Sequence, residues 1–199
     1  MCVTGWMSWG LATGQAAGIA DASDAMKGAL RCTDAMTESL AGRTGYDFRG
    51  GGPAKLAGTP TMLNSSPMEA MTSVGLMVRL FAGRSPANDP LIGKGAALIL
   101  AARPKWDWWA PAGVRMDFHA WFWGSLAMRQ SGGDAWKSWG SALTTALLAG
   151  QRTRKDGCIR GSWDPIDAWS SIGGRVYSTA MCCMALESYW RMDPLVGAK

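Results

Sequence analysis

An all-α fold with buried and half-buried helices in alternation is what this sequence predicts, and three observations carry the prediction. Strand signals are weak, because β-branched residues are few and no run alternates apolar and polar positions cleanly. Apolar residues recur instead at helical spacing, on one face of some segments and on every face of others. The 26 glycines and 9 prolines fall mostly between those segments, where they end helices and turn the chain.

Taken in order, WMSWGLA (Trp6 to Ala12) is apolar nearly all round, which predicts a helix buried on every side. DAMKGALRCTDAMTE follows, with Met26, Leu30, Thr33 and Met36 on one face and Lys27, Arg31, Asp34 and Glu38 on the other. SVGLMVRLFA (Ser73 to Ala82) is again apolar throughout apart from its arginine. DPLIGKGAALILAA (Asp89 to Ala102) reads as half-buried, with Lys94 the only charge after its opening aspartate. AWFWGSLAM (Ala120 to Met128) is the third buried type. DAWKSWGSALTTALL stripes Trp136, Trp139, Leu143 and Leu147 against Lys137, Ser141 and Thr144. AMCCMAL (Ala180 to Leu186) is the last buried type. Its helix is expected to start at Arg175 or Val176, after Gly173-Gly174, and to carry a Glu187–Arg191 pair at i, i+4. Asp21 or Ser23, Asp89-Pro90 and Asp134 are placed to cap the half-buried helices, each after a glycine-bearing turn.

This order describes helical hairpins with an apolar layer inside and an amphipathic layer outside. Repeats of that design close into an α/α toroid when the inner helices form a ring. A full ring takes roughly twelve helices in six hairpins, more than the seven read here. The expectation is therefore one domain over residues 1–199, forming a partial ring or arc, and possibly belonging to a longer protein. An arc leaves apolar flanks that further chain or a second copy would cover.

The residues also resemble a family. Gln151 followed by DGCIRGSW (Asp156 to Trp163) resembles the Gln/Trp repeat motif of squalene-cyclase and prenyltransferase toroids, in which a Gln, a Gly and a Trp tie hairpins together. The longer stretch from Met116 to Arg191 resembles uncharacterised toroid-repeat domains found in large bacterial proteins. TGWMSWGLATGQAAG, GRTGYDF and MTSVGLMVRLFAG resemble the preceding repeats of the same domains. The resemblance implies an α/α toroid and leaves activity open, since fold does not fix function.

Three chemistries known on that fold find no complete motif here. Terpene cyclisation needs DxDD, whereas DASD (Asp21 to Asp24) has another pattern. The prenyltransferase zinc site needs Asp-x-Cys plus a later histidine. Asp156-Gly157-Cys158 supplies the first part, but Tyr177-Ser178 stands where Tyr-His is expected, and the single histidine, His119, comes earlier. The thioester motif Cys-Gly-Glu-Gln is absent. No metal and no cofactor are expected, with Asp156 satisfying nearby N–H groups and Cys158 in a turn.

In closed toroids the cavity opens at the N-termini of the inner helices. That rim would hold Thr4, Trp6, Thr72, Asp117, His119, Trp121, Trp123, Arg175 and Tyr177. Trp6, His119, Trp121, Trp123, Arg175 and Tyr177 are the candidate ligand contacts, for an apolar or saccharide ligand. His119, Asp117, Asp156 and Cys158 are the candidate catalytic groups. Asp107, Asp164 and Asp167 are further carboxylates that could pair. A non-catalytic binding or scaffold module is the leading reading, ahead of a lyase- or transferase-like enzyme acting on an isoprenoid or saccharide.

Charge and cysteine bound the remainder. A net charge of +5 is modest, and the only basic cluster is RTRK (Arg152 to Lys155), so nucleic acid is not an expected partner. The five cysteines show no CxxC spacing, and reduced thiols are expected, with Cys182 and Cys183 buried as small hydrophobes. No apolar run is long enough to span a bilayer and no signal peptide is read, which makes the cytoplasm the default compartment.

Overall fold

A computed structural model of the chain describes residues 1–19, 21–52, 54–55, 62–63, 69–107, 116–167 and 169–190, the short strand segments by backbone alone. These residues form an all-α fold. The helices are α1 (Cys2–Ala16), α2 (Ser23–Met36), α3 (Ala70–Phe81), α4 (Pro90–Ala101), α5 (Phe118–Ser131), α6 (Gly133–Gly150) and α7 (Ser170–Glu187). Extended structure is confined to two antiparallel two-residue strands, β1 (Ala54–Lys55) and β2 (Met62–Leu63), and to isolated bridges. A short 3-10 segment, Arg154–Ile159, lies between α6 and α7.

Two layers result. Helices α1, α3, α5 and α7 pack in a row, each on the next, while α2 lies on α1 and α3, α4 on α3 and α5, and α6 on α5. The middle of the row has neighbours on every side, so α3 buries each residue from Ala70 to Leu80 and α5 each from Phe118 to Met128. This is where the all-apolar sequences of those helices go. The outer helices behave as their stripes predict: Met26 and Thr33 of α2, and Trp139, Leu143 and Leu147 of α6, are buried, and their charged faces are wet.

Close approach between helices rests on glycine at two places. A Cβ on Gly5 would lie 2.7 Å from Val74 Cγ1 and 3.2 Å from the Trp123 ring, so α1 sits against α3 and α5 through a bare backbone. A Cβ on Gly124 would meet the Trp139 ring at 2.5 Å. That indole in turn donates to Ser125 Oγ at 3.0 Å, which satisfies its N–H inside the core. Arg79, buried on α3, joins three helices by ion pairs to Asp34 of α2 and to Asp89, the N-cap of α4.

Four expectations are corrected. Helix α1 buries only Gly5 and Ser8, and α7 exposes Ile172, Val176 and Cys183. Both stand at an end of the row, and among the described residues neither has a helix on its outer side, which is where these apolar side chains are exposed. Neither Asp21 nor Ser23 caps α2: the Asp21 carboxylate accepts from Ser23 N at 2.9 Å, Ser23 is the first helical residue, and Ala22 holds the cap position. Asp134 sits in the first turn of α6, whose N-cap is Gly132. The start of α7 fits the expectation in part: the helix has a break at Gly174 (φ 60°, ψ −160°), a conformation suited to glycine, and runs regularly from Arg175. The proposed Glu187–Arg191 pair involves Arg191, which lies outside the described residues.

Among the described residues, no helix is long and apolar enough to cross a membrane.

Candidate functional site

The parallel inner helices bring their first turns to one rim. Cys2 opens α1, Met71 is the second residue of α3, His119 the second of α5, and Tyr177 the third after the break in α7. With Tyr46 from the α2–α3 connection and Trp169 before α7, they line a pocket of about 240 Å³. Its wall is aromatic and thioether, with few polar atoms.

Carboxylates hold the helix starts behind that wall. Asp117 is the N-cap of α5 and accepts from Ala120 N at 2.8 Å. Asp167 accepts from Phe118 N at 2.9 Å and from the Ser170 hydroxyl, which also bonds Ser178 Oγ at 2.8 Å. Glu69, in a left-handed conformation before α3, pairs with Arg43 at 2.6 Å and takes the Thr72 hydroxyl proton at 2.6 Å. Anions at helix N-termini are favoured by the orphan N–H groups and the dipole. Glu69 has a cation beside it, whereas among the described residues Asp117 and Asp167 have none within ion-pair distance.

Burial sets the protonation of the groups around the pocket. It raises the Asp117 carboxyl above its ordinary range, opposed by the Ala120 N–H, the Trp169 indole and the His119 backbone N–H. It raises Asp167 to about 6, with the nearby Asp117 adding to the effect. His119, 8% exposed, is held down to about 4 by the same desolvation. The Cys2 thiol and the Tyr177 phenol are both raised by burial, Tyr177 also by Asp167 and Asp117.

The imidazole is fixed by its neighbours. Trp123 Nε1 lies 3.0 Å from His119 Nε2, and an indole nitrogen only donates, so Nε2 is the acceptor and the ring proton belongs on Nδ1. Cys2 Sγ lies 3.3 Å from the same Nε2. This thiol and imidazole are both neutral at pH 7, because burial opposes the ion pair that a cysteine nucleophile requires. The lone pair a general base would use is already engaged by the indole.

Of the six ligand candidates, His119 and Tyr177 reach the pocket. Trp6 lines a separate open groove along α1 with Trp9, Gly10 and Gly14. Trp121 is buried edge-on against Phe118, and Trp123 is buried behind His119 and against Trp6. Arg175 turns away, to Asp164 at 2.6 Å and Ser162 Oγ at 3.0 Å. Thr4 lies on half-buried α1, outside the pocket wall, and Thr72 serves Glu69.

The candidate catalytic set divides in the same way. Asp117 stands behind the pocket beside His119, but Asp156 and Cys158 belong to the 3-10 segment before α7. There Asp156 completes a capping box with Thr153 and Cys158 is exposed. Asp164 is bound by Arg152 and Arg175, and Asp107 is a half-buried loop residue. No group of three or more His, Cys, Asp or Glu able to hold a metal occurs among the described residues.

Four pocket residues escape sequence reasoning: Cys2, Tyr46, Met71 and Trp169. Met71 was legible in principle, as the residue before the candidate Thr72 on an inner-helix start. Tyr46 and Trp169 come from connections whose path no periodicity reports.

Comparison with protein-family models, with curated proteins and with solved structures gives no match.

Proposed function

We propose that this chain is a non-catalytic binding module of the α/α-toroid type, which holds one small, mostly apolar molecule in the pocket at the inner-helix N-termini. The observation that carries this is convergence: all four inner helices contribute a first-turn side chain to one pocket. The toroid assignment is supported by the alternation of inner and outer helices and by the tie after α6. In that tie Gln151 Nε2 donates to the Gly161 carbonyl at 3.1 Å, Gln151 bridges Trp163, and the Trp163 indole donates to the Leu147 carbonyl at 2.8 Å. A Gln, a Gly and a Trp in a linking role are what the resemblance to the repeat motif implies, and this tie supports the reading. An apolar ligand suits the wall better than a saccharide, which needs several polar side chains around its hydroxyls.

The second reading, a lyase- or transferase-like enzyme, rests on His119, Cys2 and Asp117 lying together. It is disfavoured by the neutral, already hydrogen-bonded imidazole.

Thermal melts with five- to ten-carbon isoprenoid alcohols, and with methyl glucoside as the saccharide, test the binding reading. A ligand at a hundredfold excess over Kd stabilises by about 2.7 kcal/mol, a clear rise in Tm. The isoprenoid alcohols are expected to give it and the glucoside not. A Tm unmoved by any of them overturns the proposal.

A further inference from the structure

We infer that the pocket selects uncharged molecules carrying one oxygen acceptor on an apolar body, such as a ketone, ether or alcohol, and that the Nδ1–H of His119 is the donor that recognises the oxygen. The inference rests on the binding reading above and names its ligand class.

The wall of the pocket is mostly apolar, and beside the Tyr46 and Tyr177 phenols and the Cys2 thiol it carries His119, whose ring has one committed N–H. Nε2 is taken by the Trp123 indole at 3.0 Å, with the Cys2 sulfur at 3.3 Å, so the proton is on Nδ1. No described residue accepts from that N–H. His119 is a buried residue, 8% exposed, that lines the pocket, so water competes poorly for its donor. The Trp169 indole N–H, also at the pocket, is directed toward the Asp117 carboxylate behind it, which leaves His119 as the donor the inference needs. A buried donor without an acceptor is unfavourable, and a ligand oxygen placed there removes the deficit. An apolar molecule of the same shape leaves it in place. Sites built to meet a ligand's polar group discriminate strongly against analogues that lack it.

Charge decides between kinds of acceptor. A carboxylate or phosphate would accept from Nδ1–H more strongly than a ketone. Here, however, Asp167 stands behind the wall, held at about 6 and so ionised at pH 7, with no described cation paired to it. The charged groups of the other packed elements do not offset it, since Arg43 from the α2–α3 connection is already paired with Glu69. Anionic ligands meet repulsion, and neutral oxygen is what remains. The volume, about 240 Å³, lies below the 300–1,000 Å³ of drug-sized sites and limits the ligand to a ring or short branched chain.

The single histidine makes the test direct, because imidazole ¹⁵N signals need no assignment. Protein labelled with ¹⁵N-histidine is titrated with cyclohexanone, methylcyclohexane and cyclohexanecarboxylate. The expected free protein shows the Nδ1–H tautomer at pH 7. Cyclohexanone shifts the Nδ1 signal and binds roughly ten- to a hundredfold more tightly than methylcyclohexane, although the hydrocarbon is the more hydrophobic of the two. Cyclohexanecarboxylate does not bind. An Nε2–H tautomer or an imidazolium at pH 7 overturns the inference, as does equal binding of the carboxylate. If methylcyclohexane binds as tightly as cyclohexanone and leaves Nδ1 unmoved, the binding module survives and the role of His119 falls. If none of the three binds, both fall. A folded His119→Phe variant should lose the preference for the ketone, and unchanged affinity in it refutes the inference independently.

Discussion

His119 and Asp167 stand on the same rim with opposite protonation debts. His119 is held at about 4 against an ordinary 6.5, so the unfolded chain binds more protons over that window and stability is lost as pH falls through it. Asp167 is held at about 6 against an ordinary 3.8, so the native chain binds more protons and stability is lost as pH rises through that window. The two slopes oppose one another between pH 4 and 6. Substituting one residue should expose the other. For Asp167→Asn, the stability difference from the wild-type chain should climb between pH 4 and 6 and then level, by up to about 3 kcal/mol for a shift of this size. For His119→Phe it should fall between pH 4 and 6.5. Urea unfolding at half-unit pH steps measures both, and flat difference curves would remove the buried-charge account of the rim. Two glycines of α1 give a sharper packing test. Gly5→Ala should destabilise by about 1–3 kcal/mol, because its Cβ would meet Val74 and Trp123. Gly14→Ala has open space within 4 Å and should stabilise by about 0.5–1 kcal/mol through helix propensity.

At the scale of elements, the tie between α6 and α7 depends on one indole. Trp163 is buried, donates to the Leu147 carbonyl in the last turn of α6, and has its own backbone N–H on Thr179 of α7. Trp163→Phe keeps most of the apolar contact but orphans that carbonyl, and should cost about 1–3 kcal/mol in denaturant unfolding. An unchanged midpoint would mean that the loop holds itself. This linkage was legible in the residues Gln151, Gly161 and Trp163, and α3 and α5 were legible because an all-apolar helix requires neighbours all round. The same pattern misled at α1 and α7. Hydrophobic periodicity reports which faces a helix could bury, not whether a neighbour is present, and Trp6 and Val176 look alike in sequence to Trp123 and Val74. The pocket was half legible for a related reason. His119 and Tyr177 follow from where inner helices start, whereas Tyr46 and Trp169 depend on the path of loops. Asp156-Gly157-Cys158 resembled a ligand pair because a capping box also places a carboxylate among N–H groups, and spacing alone does not separate the two.

Among the described residues the inner helices form a row of four, and the outer sides of its first and last members carry exposed apolar side chains. Along α7 after its break, Val176, Ala180 and Cys183 recur at i, i+4 and i+7 and are all exposed, Val176 to 83%. Along α1, Val3, Met7 and Gly10 repeat the pattern, with Val3 exposed to 73%. Each apolar Å² removed from water contributes about 25 cal/mol, so covering such edges favours association. The isolated chain is therefore expected to self-associate in light scattering, with a mass that rises with concentration. Val176→Glu should weaken it, and Met7→Glu should weaken it too where α1 is the partner edge. Both positions are exposed, so the substitutions should change folding stability by only about 0.5 kcal/mol, and a loss of mass would report the contact and not unfolding. Mixing separates the two geometries open to such edges. If α7 of one copy meets α1 of the next, a head-to-tail contact, each variant keeps one sound edge and the mixture forms a one-to-one dimer that neither forms alone. If α7 meets α7 about a two-fold axis, Met7→Glu retains its dimer and mixing adds nothing. A wild-type chain that stays monomeric at every concentration would show that its edges need no second copy.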